Sequence, residues 1–294
     1  MNYQWYPGHM TKAKRMMEEN IKLIDLVIEI VDARIPISSR NPDIDSLAVN
    51  KARIILLNKS DLADDKITNQ WINYFNENNI YCLKLNSRNN SGIKQVNSLI
   101  MTACADKIER NKQRGILNRP IRAMVVGIPN VGKSTFINSY AGKASAKTGN
   151  KPGVTKGKQW IKLNKNVELL DTPGILWPKF DNQEVGKRLA MIGSMNDEIL
   201  NVEELAIDTI KNIYSEYSDN VIERYGLDKE KTAASYDENA INPDNSVALY
   251  IMEQAAVKRG CIKKGNNIDY EKISNIILDD FRSGRLGRIS LETP

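Results

Sequence analysis

The sequence predicts an α/β fold, a sheet flanked by helices, followed by a small helical domain. Two observations carry this. Up to about residue 175, short apolar runs alternate with segments of helical period. Beyond Trp177 the apolar spacing is helical, as in Val185, Leu189 and Ile192, and no strand alternation stands out. At 294 residues each part is long enough to bury its own core.

The expected strands are Asp25–Val31, Arg53–Leu57, Ile80–Leu85, Arg122–Gly127, Lys158–Leu163 and Val167–Asp171. Their Ile, Val and Leu content without strict alternation suits strands covered on both faces. Helices are expected near Thr68–Asn78, Ile93–Ile108 and Lys133–Tyr140. The stretch from Lys107 to Pro120 reads as a helix end and then a basic connector, either a solvated linker or a contact for RNA. Gly226 and the Asn/Asp-rich stretch Asp237–Asn245 mark breaks in the second part. The expected domains are residues 1–177 and 178–294.

Composition bounds the function. Hydrophobic residues at 41% and charged residues at 27% are ordinary for a soluble globular protein. The net charge of +6 tilts toward a polyanionic partner. Cys82, Cys104 and Cys261 are widely spaced, with no CxxC pair, and read as buried thiols in a reducing compartment. No apolar run approaches the roughly 20 residues of a membrane span. A soluble, cytoplasmic monomer without membrane association is expected.

The chemistry lies in loops at strand ends. Gly127 to Ser134 fits G-x-x-x-x-G-K-[ST], after the apolar strand Ala123-Met124-Val125-Val126 and before a helix. Asn130, Val131, Gly132, Lys133, Ser134 and Thr135 would cradle phosphates, because successive N–H groups converge at a helix N-terminus. Lys133 would neutralise the β/γ-phosphates and Ser134 would ligate Mg²⁺. Asp171-Thr172-Pro173-Gly174 closes a strand; Asp171 would reach Mg²⁺ through water and the Gly174 N–H the γ-phosphate. Thr155, in the loop between these motifs, is the candidate for a threonine closing over Mg²⁺.

Asn58-Lys59-Ser60-Asp61 follows the apolar run Ile54–Leu57. Asp61 could accept both N1–H and the exocyclic amine of guanine. Adenine offers an acceptor at N1 and no 2-amino group, so a carboxylate there would be left unpaired. Lys59 would pack along the base, and Asn58 would tie its loop to the phosphate loop. Asn86 and Ser87, at the end of the next strand, would help a backbone N–H contact guanine O6. Together these motifs specify GTP and GDP over adenine nucleotides.

The motif order is unusual: the guanine-reading segment precedes the phosphate loop. In this order the residues resemble the circularly permuted GTPases, with motif order G4-G5-G1-G2-G3, and within them bacterial factors of large-subunit maturation. The resemblance spans nearly the whole chain. It includes Trp5-Tyr6-Pro7-Gly8-His9-Met10, Val31-Asp32-Ala33-Arg34-Ile35-Pro36, Pro173-Gly174-Ile175-Leu176-Trp177-Pro178 and Phe281–Arg288. It implies a circularly permuted Ras-like P-loop domain followed by an all-helical domain that binds RNA or ribosome. It also implies GTP hydrolysis, and association with a large (50S) ribosomal subunit precursor through rRNA and ribosomal proteins.

Ile175 stands where Ras-like enzymes place a water-orienting glutamine. The resemblance implies a catalytic group from elsewhere, and His9, the sole histidine, is the candidate. It likewise implies that Asn130 could help hold K⁺ beside the phosphates. Arg282, Arg285 and Arg288, with Lys258, Arg259, Lys263 and Lys264, offer a basic surface for rRNA backbone, although Gly284 and Gly287 argue against one continuous helix. Two alternatives stay open: a GTPase of RNA modification or translation, and a nucleotide-gated RNA-binding switch with negligible turnover.

Overall fold

The computed structural model describes residues 15–116, 119–142, 159–162, 166–171 and 182–294. It divides into two compact units, one of residues 2–186 with 292–294 and one of residues 187–291. The expected boundary at 177/178 and the motif at 173–178 lie outside the described residues.

The first unit is built on a six-stranded sheet of β1 (Leu26–Asp32), β2 (Ala52–Asn58), β3 (Tyr81–Lys84), β4 (Ile121–Val126), β5 (Gln159–Lys162) and β6 (Val167–Asp171), in the order β3-β2-β1-β4-β6-β5. All neighbours pair in parallel except β5, which runs antiparallel to β6 at the edge. All seven residues of β1 are buried, which explains its apolar run: a central parallel strand is covered on both faces. The order reverses between β1 and β4, and loops leaving such a switch point diverge to open a crevice at the carboxyl ends of the strands.

Between strands lie α1 (Asp43–Leu47), α2 (Asp65–Glu77), α3 (Ile93–Ala103), α4 (Ala105–Gln113) and α5 (Lys133–Ala141). Helix α2 begins where Asp64 accepts hydrogen bonds from the Lys66 and Ile67 amides at 2.8 and 3.2 Å. It buries Thr68, Trp71 and Phe75, a stripe of helical spacing, and the two aromatic rings join one cluster with Val31, Ile55, Leu57 and Cys82 of the sheet.

The helix expected over Ile93–Ile108 is two helices. The chain leaves helical geometry at Cys104 (φ −105°, ψ 12°), whose thiol is buried there, and resumes for two further turns. That path carries the chain from the edge strand β3 back to β4 in the middle of the sheet. In the basic connector, Lys107 and Arg119 both pair with the buried Asp25, at 3.3 and 3.5 Å, so these two cations fasten the connector to the start of β1.

Helix α6 (Gln183–Met191) spans the division between units, and α7 (Val202–Tyr225), α8 (Lys229–Ala233), α9 (Ser246–Arg259) and α10 (Tyr270–Arg282) follow. Asn201 caps α7, and Gly226 (φ 60°) ends it in the left-handed conformation that glycine tolerates best. The second unit is helical apart from a hairpin of β7 (Ile262–Lys263) and β8 (Asn267–Ile268), two short strands that leave no alternation to read in sequence. Helix α10 packs on α7, and their buried polar link is Asp280, whose carboxylate accepts from Arg224 at 2.7 and 2.9 Å. Burial alone would raise the Asp280 pKa; the bonds from Arg224 and Arg285 hold it below the usual range. The three cysteines are all buried free thiols.

The last three residues return to the first unit. The Glu292 carboxylate accepts from the Ile37 and Ser38 amides at 2.8 and 3.1 Å and from the Ser38 hydroxyl. Its backbone carbonyl accepts from Trp71 Nε1 at 3.1 Å. The helical unit is therefore bounded in sequence by segments of the first unit on both sides.

Candidate guanine-nucleotide site

The loops after β1, β2, β3 and β4 leave the same end of the sheet, as parallel strands require. Register fixes their neighbours: Asp32 lies beside Asn58, Leu57 beside Lys84, and Val125 beside Asp171. The two halves of the expected site, separated in sequence, are thus assembled by strand pairing.

Asn58 joins three of the loops. Its Nδ2 donates to the Val131 carbonyl at 2.8 Å, and its Oδ1 accepts from the Ser87 amide at 3.1 Å and the Ser87 hydroxyl at 2.9 Å. The side chain is buried, so every one of these bonds avoids the cost of a desolvated, unpaired polar group. Ser139 of α5 donates to the Ser87 carbonyl at 2.6 Å, fastening that loop to the helix behind the phosphate loop. Asn86 organises the turn itself, its Oδ1 accepting from the Arg88 amide at 2.9 Å.

The phosphate loop is shaped by its glycines. Gly132 has φ 98°, and a Cβ there would collide with Asn58 Nδ2. Asn130 also takes positive φ, at 57°, a conformation that asparagine tolerates better than most residues. The buried Lys133 ammonium folds over the loop onto the Gly127 and Ile128 carbonyls at 3.2 and 3.0 Å. Ser134 and Thr135 stand half-buried in the first turn of α5, while the Val131 side chain is fully buried. A closely approachable backbone, a lysine and a hydroxyl at a helix start fit a phosphate chain with an oxygen-ligated divalent ion.

Lys59, at φ 57°, reaches the carboxylate of Asp32 at 3.0 Å. Asp32 is fully buried and is also gripped by Arg34 Nε and Nη2 at 2.9 and 2.8 Å. Burial would raise the Asp32 pKa, but Arg34 and Lys59 hold the carboxyl well below the usual range. The Asp-Ala-Arg segment has no role legible in its residues alone; the strand register, which sets Asp32 beside Asn58, brings it to the site. Asp61 is exposed at the rim of its loop. His9, Thr155 and Gly174 lie outside the described residues, as does the Asp171 side chain.

Of the basic residues expected at the surface of the second unit, Lys258, Arg259, Lys263, Lys264, Arg285 and Arg288 are exposed, and Arg282 is drawn into the fold. Arg282 donates to the Ala190 and Met191 carbonyls at 2.8 and 3.0 Å and pairs with Asp197 at 2.6 Å, so it closes the C-terminal end of α6. Arg285 pairs with Asp279 and Asp280 at 2.7 and 3.2 Å. Helix α10 ends at Arg282, and no helical stripe runs through Arg285 and Arg288.

The family model described as a 50S ribosome-binding GTPase matches residues 122–235. Ribosome biogenesis GTPase A of Bacillus cereus is 46% identical over 294 residues, covering 100% of this chain and 95% of that protein. The protein of the same name from Thermotoga maritima is 32% identical over 290 residues, covering 99% of this chain and 94% of its own. The GDP-bound structure of TM YlqF superposes with a TM-score of 0.64 at 26% identity, covering 95% of this chain and 99% of its own. With nucleotide motifs in permuted order along a single, mostly parallel sheet, and relatives aligned over the full length, the chain belongs to the ribosome biogenesis GTPase A family.

Proposed function

We propose that this protein binds and hydrolyses GTP as an assembly factor for late maturation of the large ribosomal subunit. It binds the precursor particle in the GTP state and leaves on hydrolysis. The observation that carries the nucleotide part is the Asn58 bridge, which makes the guanine-reading and phosphate-holding loops one rigid unit. The names of the full-length relatives support the ribosomal part.

In this reading Asp61 selects guanine, Lys59 lies along the base, and the Ser87 loop approaches O6. The amides of residues 130–135 and the Gly174 N–H hold the phosphates. Lys133 exchanges its two carbonyl partners for phosphate oxygens, which are stronger, charged acceptors. Ser134, Thr155 and, through water, Asp171 would hold Mg²⁺, which supplies charge neutralisation on the phosphates. Asn130 is the candidate for holding K⁺ in the same role. His9 orients the attacking water once the particle positions its turn. Turnover is slow in the free protein and rises on the subunit, because the water-orienting group is completed there.

The test is steady-state GTP turnover with and without large subunits, for wild type, His9→Ala and Lys133→Ala. The reading expects stimulation in wild type, its loss in His9→Ala with GTP affinity retained, and no turnover in Lys133→Ala. Absence of stimulation by any ribosomal particle contradicts it. Equal rates in KCl and NaCl remove the K⁺ role alone.

A further inference from the structure

We propose that Asp32, with Arg34, is a positioning residue for guanine binding: it pre-sets the Lys59 ammonium so that the lysine stem lies ready along the base. The proposal rests on the guanine-nucleotide reading above and gives a role to the Asp-Ala-Arg segment.

The geometry is specific. Asp32 is the last residue of β1 and the register partner of Asn58, so its carboxylate emerges beside the start of the Asn-Lys-Ser-Asp loop. The Ala33 amide donates to the Asn58 carbonyl at 2.9 Å, locking the two strand ends together. Three donors of Arg34, its Nε, Nη2 and backbone N–H, fix the carboxylate at 2.9, 2.8 and 3.1 Å. Ser39 Oγ accepts from the Asp32 amide at 3.0 Å. The carboxylate is therefore immobile, and its Oδ2 still accepts from Lys59 Nζ at 3.0 Å.

On the lysine side the backbone is held equally firmly. Lys59 takes φ 57°, a sparsely populated conformation for a long side chain, braced by the Ser60 amide on the Leu85 carbonyl at 3.1 Å and the Leu62 amide on the Lys59 carbonyl at 2.9 Å. A lysine tethered at both ends has already given up the rotamer freedom that base binding would otherwise remove. Arg34 alone would satisfy the buried carboxylate bidentately. The second cation is what this arrangement adds.

The test is a double-mutant cycle on GDP affinity, measured by calorimetry with the full chain: Asp32→Asn, Lys59→Met and both together. Each single change is expected to weaken GDP about tenfold, and the double no further than Lys59→Met. Multiplying effects, or unchanged affinity in a folded Asp32→Asn, overturn the proposal. Because Asp32→Asn leaves buried cations and can fail to fold, relaxation of the Lys59 ε-methylene in nucleotide-free wild type provides a second reading. It is expected to be as ordered as the backbone, and a freely rotating terminus overturns the proposal. Wild type that does not prefer GDP over ADP would instead overturn the guanine reading beneath it.

Discussion

Asn58 Nδ2 donates to the Val131 carbonyl at 2.8 Å, joining two residues 73 positions apart in sequence. Its other amide atom accepts from Ser87, so one side chain fastens three loops. Replacing it by alanine leaves the Val131 carbonyl and the Ser87 amide without this partner. Asn58→Ala is expected to cost about 2 kcal/mol of stability and to weaken GDP by about tenfold or more. Urea unfolding and calorimetric titration check the two effects separately.

Gly132 sits against the same side chain. A Cβ there meets Asn58 Nδ2, and φ 98° strains any other residue. Gly132→Ala is expected to lose GDP affinity by roughly a hundredfold, since the clash displaces both the bridge and the phosphate loop. Retained circular dichroism with lost titration heat is the expected pair of results. Unchanged affinity would show that the loop yields elsewhere.

The tail makes a sharper stability test. Glu292 receives charge-assisted bonds from Ile37, Ser38 and the Ser38 hydroxyl, from residues about 254 positions away. Glu292→Ala is expected to destabilise the first unit by about 2–3 kcal/mol, read as a lowered urea midpoint. Removing Thr293 and Pro294 alone should leave that midpoint unchanged.

Arg282 and Arg285 separate a structural from a surface role. Arg282→Ala abandons two helix-end carbonyls and Asp197, and is expected to cost about 2 kcal/mol. Arg285 is half exposed, and Arg285→Ala is expected to cost clearly less than Arg282→Ala. Thermal melts of the two variants check the order.

Acid stability follows from Asp32. Its folded pKa lies below its unfolded value near 3.9, so its contribution is fully present above pH of about 4 and is lost as pH falls through the folded value. Wild type is expected to lose stability steeply on acidification below about pH 4. Asp32→Asn, if it folds, should start less stable and lose less over that window. Parallel pH profiles would contradict the assignment.

Much of this was legible in the sequence where local pattern decides. The strands of the sheet announce themselves by apolar runs, and each expected strand lies within two residues of an observed one. The motif loops stand out because their residue types are restricted over short spans, and the structure brings three of them together at Asn58. The rest depends on contacts between distant residues. Helix α1 is only five residues long and lacks a period to read. The break at Cys104 falls inside one continuous helical pattern, and no proline or glycine marks it in the sequence. Arg282 looked like one of three equivalent arginines, and only the fold distinguishes the residue that closes α6 from its neighbours. Glu292 and Asp32 acquire meaning from partners that no spacing rule connects to them.

Guanine selection by Asp61 is the claim on which the assembled site stands, and it has a direct chemical test. A carboxylate accepts from N1–H and the 2-amino group; xanthine replaces that amine with a carbonyl, which an asparagine amide can donate to. Affinities of GDP and XDP should be measured for wild type and Asp61→Asn. The account predicts that wild type prefers GDP and the variant prefers XDP, each by about a hundredfold or more. The same preference in both proteins would contradict it.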